Sequence, residues 1–422
     1  MHKRDFLKSI SLAGLALPLS SNAMNEWINQ YQELSPAEIA DDENFWSVIR
    51  SGYKLKPDYI NLENGYYNFL PENILDAYIK NIREVNYQGP YYMRTVQGDN
   101  KKKANAALAE LAGCTAEELV ITRNTTESLD TIIGGFPWQA GDEAVMAAQD
   151  YGAMLDMFTL VGKRHGVVNK VISLPHNPKS DEELVQRYAN AITPKTKLLM
   201  VCHVVNITGQ VMPVKKICDM AHSKGVQVLV DGAHAFAQLN FKIPELNCDY
   251  YGASLHKWLS VPLGAGLLYI KKEHIHTTWP LLGPSEGEDK SIARLNHTGT
   301  HPVATDITIP YAIEHYKMIG AERKQARLQY LQQYWLKQVK QLPNIIINTP
   351  DDPARCCAIA NVGVKGMKPA DLAASLLNKY KIYTVAIDRP EANVQGCRIT
   401  PNLYTTTKEL DTLVAALKEL GS

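Results

Sequence analysis

Lys257 is the residue whose type and setting most invite a chemical reading. It closes the segment Ser254-Leu255-His256-Lys257, between a short apolar strand at Asp249-Tyr250-Tyr251 and a glycine-rich one over residues 264–270. Burying an ammonium is costly unless it is paired or loses its proton. A Schiff-base lysine needs that environment, because desolvation lowers its pKa and frees the amine. Asp231 ends the apolar run 226–230 in Asp-Gly-Ala-His. A carboxylate at the carboxyl end of a parallel strand points into the crevice where such sheets bind ligands. Beside a pyridine nitrogen it would hold the proton there and make the ring an electron sink. His234, three residues on, could reach a phenolate oxygen of such a ring or pack in the turn. Thr122-Arg123-Asn124-Thr125-Thr126-Glu127 joins a strand to a helix, so backbone N–H groups and two hydroxyls would converge on an anion. It lacks the lysine of a P-loop, which argues against a nucleoside triphosphate. Taken singly, these segments also fit a surface turn, a helix-capping Asp and an ordinary N-cap.

Their order along the chain narrows the choice. Cys202-His-Val-Val-Asn-Ile-Thr-Gly-Gln-Val-Met-Pro213 is followed by Val-Leu-Val-Asp-Gly-Ala-His234 and then by Ser254-x-His256-Lys257. From about residue 61 to 404 the chain closely resembles the class V aminotransferase family, in its isopenicillin-N epimerase-like branch. This is the fold-type I pyridoxal 5′-phosphate (PLP) group that also contains cysteine desulfurases and kynureninases. The resemblance implies that Lys257 carries PLP as a Schiff base and that Asp231 partners the pyridinium nitrogen. It implies that Thr125, Thr126, Ser254 and His256 hold the phosphate, with Asn206 and His234 flanking the phenolate oxygen. Tyr151 stands where the family often stacks a histidine on the ring. Thr298-Gly299-Thr300 resembles the loop through which a neighbouring subunit touches the phosphate, so Thr300 joins the cofactor set and a homodimer with active sites at its interface is implied. Arg398, in Arg-Ile-Thr-Pro-x-x-Tyr-Thr, matches the arginine that grips a substrate carboxylate by a bidentate pair; alone, it could be a surface ion pair. Asn64-Gly65 matches a loop near the substrate, and Arg94 is a second anion-binding candidate. Desulfurases carry a nucleophilic cysteine on a loop shortly before that arginine. Residues 385–395 contain none, Cys397 adjoins Arg398 in a strand and Cys356-Cys357 lies too early. Desulfurase activity is therefore disfavoured.

The expected chemistry starts with Lys257 as the general base at Cα of an amino-acid-like substrate. Transamination is the first expectation; epimerisation or elimination is the alternative, because the fold alone does not choose among them. A PLP-binding protein without turnover is a third reading, and the presence of both Lys257 and Asp231 counts against it.

Short apolar runs at 119–121, 144–146, 198–204 and 226–230 alternate with helical stretches, which argues for a doubly wound, mostly parallel sheet. The resemblance makes it seven-stranded. Ser35-Pro36-Ala37-Glu38 is a capping box expected to open a helix running through Trp46 and Ile49, and a second helix is expected from Pro71. After about residue 310 the texture changes. A long helical stretch over 311–342 leads to short strands at 345–347, 358–359, 382–384 and 398–399, with a last helix from Lys408. Residues 61–309 are thus expected to form a large PLP-binding domain and 310–422 a smaller α+β domain, joined by the segment 24–60.

Lys+Arg and Asp+Glu both number 44, so no basic field is available for nucleic acid and a small molecule is the expected partner. Seven cysteines at irregular spacing argue against a disulfide framework. His274-x-His276 lacks a third metal partner and reads as a surface turn. Residues 1–23 resemble a twin-arginine signal, with Lys3-Arg4 in place of the pair, an apolar stretch and Ser21-Asn22-Ala23 at the cleavage site. The expectation is export to the periplasm, with a cytoplasmic protein as the alternative. The apolar run is too short to span a bilayer, and no stable membrane insertion is expected. Export also resembles that of periplasmic family members that tailor peptide side chains during siderophore maturation, which extends the substrate class to peptide-linked amino acids.

Overall fold

Leu199, Val201, Val228 and Val230 pack in one hydrophobic core, while Leu198, Met200 and Leu229 pack in another. Division by alternate residues is what pleated strands covered on both faces produce. The computed structural model describes residues 21–283 and 291–422. After the two-residue β1 (Ile60–Asn61), the strands β2 (Leu119–Thr122), β3 (Glu143–Ala147), β4 (Val168–Ile172), β5 (Thr196–Cys202), β6 (Gln227–Asp231), β7 (Tyr250–Ser254) and β8 (Gly266–Ile270) form a seven-stranded sheet. Its order is β2-β8-β7-β6-β5-β3-β4. β8 runs antiparallel to β2 and β7, and the other pairings are parallel. The expected α/β sheet is present. β4, at its edge, escapes the apolar-run criterion because it is half exposed.

The C-terminal part contains β9 (Ile345–Ile347), β10 (Ala360–Val364), β11 (Ile382–Tyr383), β12 (Val385–Arg389) and β13 (Val394–Ile399). Four of them form an antiparallel sheet in the order β12-β13-β10-β9, and β11 pairs in parallel with β1. A third core, with Trp335, Leu336, Val362, Leu376 and Leu413, holds this part together. The N-terminal segment reaches both parts. Tyr31, Ile39 and Phe45 join a core of the large sheet, while Arg327 binds Ala40 O at 3.0 Å and Glu43 at 2.6 Å.

Two expected helices are broken. The one opened by the Ser35 capping box stops at Ala40, and a new helix, Glu43–Ser51, begins because Asp42 accepts from Asn44 N–H and Phe45 N–H. The stretch 311–342 is split into Ile309–Ile319 and Ala321–Val339 by Gly320, at φ 91°, a conformation glycine adopts at little cost. His274 is not a free surface residue: its Nε2 lies 3.0 Å from Asp249, whose carboxylate also meets His222 at 2.8 Å. All seven cysteines are free, and among the described residues no helix is long and apolar enough to cross a membrane. The basic and apolar residues of the signal-like segment lie outside the described residues, and the helix Ser21–Asn29 begins at the expected cleavage site.

Candidate active site

Three strands end side by side. Cys202, the last residue of β5, is in register with Asp231, the last of β6, which in turn faces Gly252 of β7. Beyond these carboxyl ends lies a cavity of about 360 Å³, where open α/β sheets bind ligands. Thr125, Thr126, Tyr151, Asn206, Asp231, His234, Ser254, His256, Lys257 and Arg398 all line it. With Arg398 supplied by β13 of the smaller sheet, the fold brings together residues separated by more than half the chain.

The turn after β7 is fixed by Leu255 N–H donating to Ala265 O at 3.0 Å and Val261 N–H donating to Leu255 O at 3.1 Å. From it, Lys257 Nζ reaches to 3.1 Å from His234 Nε2. The Trp258 indole N–H donates to His234 Nδ1 at 3.4 Å, which leaves the imidazole proton on Nε2, pointing at the amine. Burial, reinforced by Lys257 and Arg398, holds the His234 pKa far below its usual value, so the ring is uncharged. Burial also lowers the Lys257 pKa to about 8, against the opposing charge of Asp231. A neutral lysine accepting a hydrogen bond is the nucleophilic form of the residue.

Asp231 Oδ1 accepts from Ala233 N–H at 3.0 Å, and Cys202 Sγ lies 3.9 Å from Oδ2. Burial raises its pKa, and the Ala233 N–H and Lys257 oppose that rise. A cation at the open side of this carboxylate would relieve the burial cost.

Asn124 caps the helix Thr125–Gly135 by accepting from Glu127 N–H at 2.9 Å. The Thr125 N–H and hydroxyl meet Ser254 Oγ at 2.8 and 2.7 Å, tying this helix start to the end of β7. Unpaired N–H groups of a first helical turn favour an anion. His256 Nδ1 and Asn206 Oδ1 are buried without partners, and such atoms normally find one. Amine, buried carboxylate, anion cradle and unmatched polar atoms in one cavity fit a phosphorylated pyridine aldehyde.

Three sequence-selected residues do not line the cavity. Asn64 is fully buried, and its amide is engaged with Asn61, Thr400 and Tyr404; it clamps the N-terminal segment to the C-terminal part. Its neighbours Gly65 and Tyr66 line the cavity instead. Arg94 is exposed on the short helix Pro90–Thr95, and Thr300 is exposed on its loop. Sequence reasoning missed Glu63, which pairs with Arg398 at 2.5 Å, and Cys202, a buried thiol that also lines the cavity. Residues 385–395 belong to a hairpin of β12 and β13 that runs to residue 399, with Val385 opposite Arg398 and Arg389 opposite Val394. There is no long loop between these strands on which a nucleophile could swing.

A family model described as class-V aminotransferase matches residues 70–413. The chain belongs to this family. Isopenicillin N epimerase of Streptomyces clavuligerus is 26% identical over 394 residues, with 89% of this class V chain and 98% of that relative covered. A probable cysteine desulfurase of Halobacterium salinarum is 28% identical over 391 residues, covering 86% and 91%. A solved structure of a C-DES variant, with glycine covalently linked to its PLP cofactor, superposes with a TM-score of 0.77 at 21% identity, covering 86% of this chain and 97% of that one. That likeness shows the fold, which is the fold type I of PLP-dependent enzymes.

Proposed function

We propose that this chain is a PLP-dependent enzyme that works at Cα of an amino-acid-like substrate, free or peptide-linked, by transamination. The observation that carries the proposal is the convergence of a half-buried, readily neutral Lys257 with the buried carboxylate of Asp231 at one cavity edge. When bound, the cofactor supplies an aldehyde for the substrate amine and a ring that delocalises the electrons left at Cα. Lys257 Nζ anchors the cofactor, then takes the Cα proton as general base. His234, neutral and hydrogen-bonded to Nζ, orients that amine. Asp231 would hold a proton on the ring nitrogen, and Thr125, Ser254 and the helix N-terminus would hold the phosphate. Arg398 would orient the substrate through its carboxyl group, and Tyr151, which lines the cavity, would cover the ring.

Transamination needs one amine that returns its proton to a different carbon; epimerisation needs delivery to the opposite face of Cα. Lys257 is the lining residue with a lowered amine pKa, which supports the first. Similarity to isopenicillin N epimerase supports the second as the alternative reading. Cysteine desulfuration is disfavoured, because burial raises the Cys202 thiol pKa and Cys397 is buried in its strand. Homodimerisation, with Thr300 reaching a neighbour's phosphate, and export through the leader belong to the same proposal. The test is incubation of the holo-protein with amino acids in deuterated water. Transamination yields a keto acid and a pyridoxamine absorbance; deuterium at Cα with inverted configuration selects epimerisation. Neither change with any amine refutes both.

A further inference from the structure

The bridge between Glu63 and Thr400 brings Glu63 beside Arg398, two residues before Thr400 on the neighbouring chain segment. Glu63 Oε1 lies 2.5 Å from Arg398 Nη2, and the two side chains are only 7% and 9% exposed. The remaining contacts fix the guanidinium further. Nη1 donates to Asn206 O at 3.3 Å, and a Cβ on Gly65 would fall 2.5 Å from the Arg398 Cζ and Nη2. Glu63 Oε2 and Arg398 Nε are buried without partners.

We propose that Glu63 is a specificity-determining residue, the resident counter-ion of Arg398, which leaves the substrate anchor able to take an uncharged carboxamide nearly as well as a free α-carboxylate. This rests on the reading of Arg398 as the anchor of an amino-acid-like substrate. The charge count decides it. An unpaired buried arginine strongly favours a carboxylate. Here the guanidinium is already balanced, so a bound carboxylate makes two anions share one cation in a buried site, where desolvation is costly. A carboxamide leaves the pair balanced: its carbonyl oxygen accepts from the guanidinium, and its NH2 is a donor for the unmatched Glu63 Oε2. Glu63 also holds the guanidinium in place before any ligand arrives, so selectivity is traded for orientation.

The test titrates the PLP-loaded protein with acid–amide pairs, L-alanine with L-alaninamide and L-phenylalanine with L-phenylalaninamide, following the visible absorbance. Each Kd is expressed per unprotonated amine. The wild-type protein should prefer the acid by less than about tenfold. Glu63→Gln, which keeps the shape and removes the charge, should raise that preference at least about tenfold through a lower Kd for the acid, with the amide unmoved. A wild-type preference of tenfold or more, or an unchanged ratio in the Gln variant, overturns the assignment; if Glu63→Gln does not fold, the wild-type ratio still decides. Absence of any wild-type response to these pairs and to every other amino acid or amide tried overturns the proposed function itself, a different result from a wrong ratio.

Discussion

Loading of the apo-protein with PLP should report the ionisation of Lys257 directly. Burial lowers this amine from its usual 10.5 to about 8. At about pH 7, an amine with that pKa is roughly one-tenth neutral, against roughly one part in three thousand for an ordinary lysine, about a three-hundred-fold gain in reactive form. Only the neutral amine attacks an aldehyde, so the second-order loading rate should climb about tenfold per pH unit below about 8 and level off above it. The sign of the neighbouring charge gives an internal control: Asp231 raises this pKa, so Asp231→Asn should move the midpoint to lower pH. Stopped-flow absorbance of the growing lysine-bound cofactor, from about pH 6 to about pH 10, measures both midpoints. A rate that keeps climbing through about pH 10, or a midpoint that rises in Asp231→Asn, refutes the reasoning.

Gly65→Ala puts a Cβ 2.5 Å from the Arg398 guanidinium, so KM for amino-acid substrates should rise at least about tenfold while the cofactor spectrum stays unchanged. Ser254→Ala removes the partner of the Thr125 N–H and hydroxyl; the Kd for PLP, measured by cofactor fluorescence, should rise about tenfold. Asn64→Ala strips partners from Asn61, Thr400 and Tyr404 in a buried network. Unfolding in urea should show a loss of about 2–4 kcal/mol, and an unchanged midpoint would remove its clamp role.

The site was legible where one short segment carried both a strand end and its functional side chain. Asp231 closes a valine-rich strand, and Ser254 ends the next strand with His256 and Lys257 just beyond it. Contacts made across large sequence distances were not. Glu63 meets Arg398 335 residues away, and nothing in Leu-Glu-Asn-Gly distinguishes a buried counter-ion from a solvated loop carboxylate. Asn64 was drawn towards the substrate by the same segment, whereas its amide is consumed by Thr400 and Tyr404. Both helix misreadings had local causes. Asp42 caps a new helix and Gly320 takes a positive φ, and each interrupts an apolar period that continues on either side.

Borohydride reduction of the PLP-loaded protein, followed by peptide mapping, tests the central claim most directly. Lys324 is a demanding competitor: it too is buried, and desolvation lowers its pKa to about 7. Its Nζ, however, donates to Trp258 O and lies 5.4 Å from the Tyr316 ring centroid, away from the cavity lining. The label should fall on Lys257. Label on Lys324, or on any other lysine with Lys257 unmodified, would contradict the account.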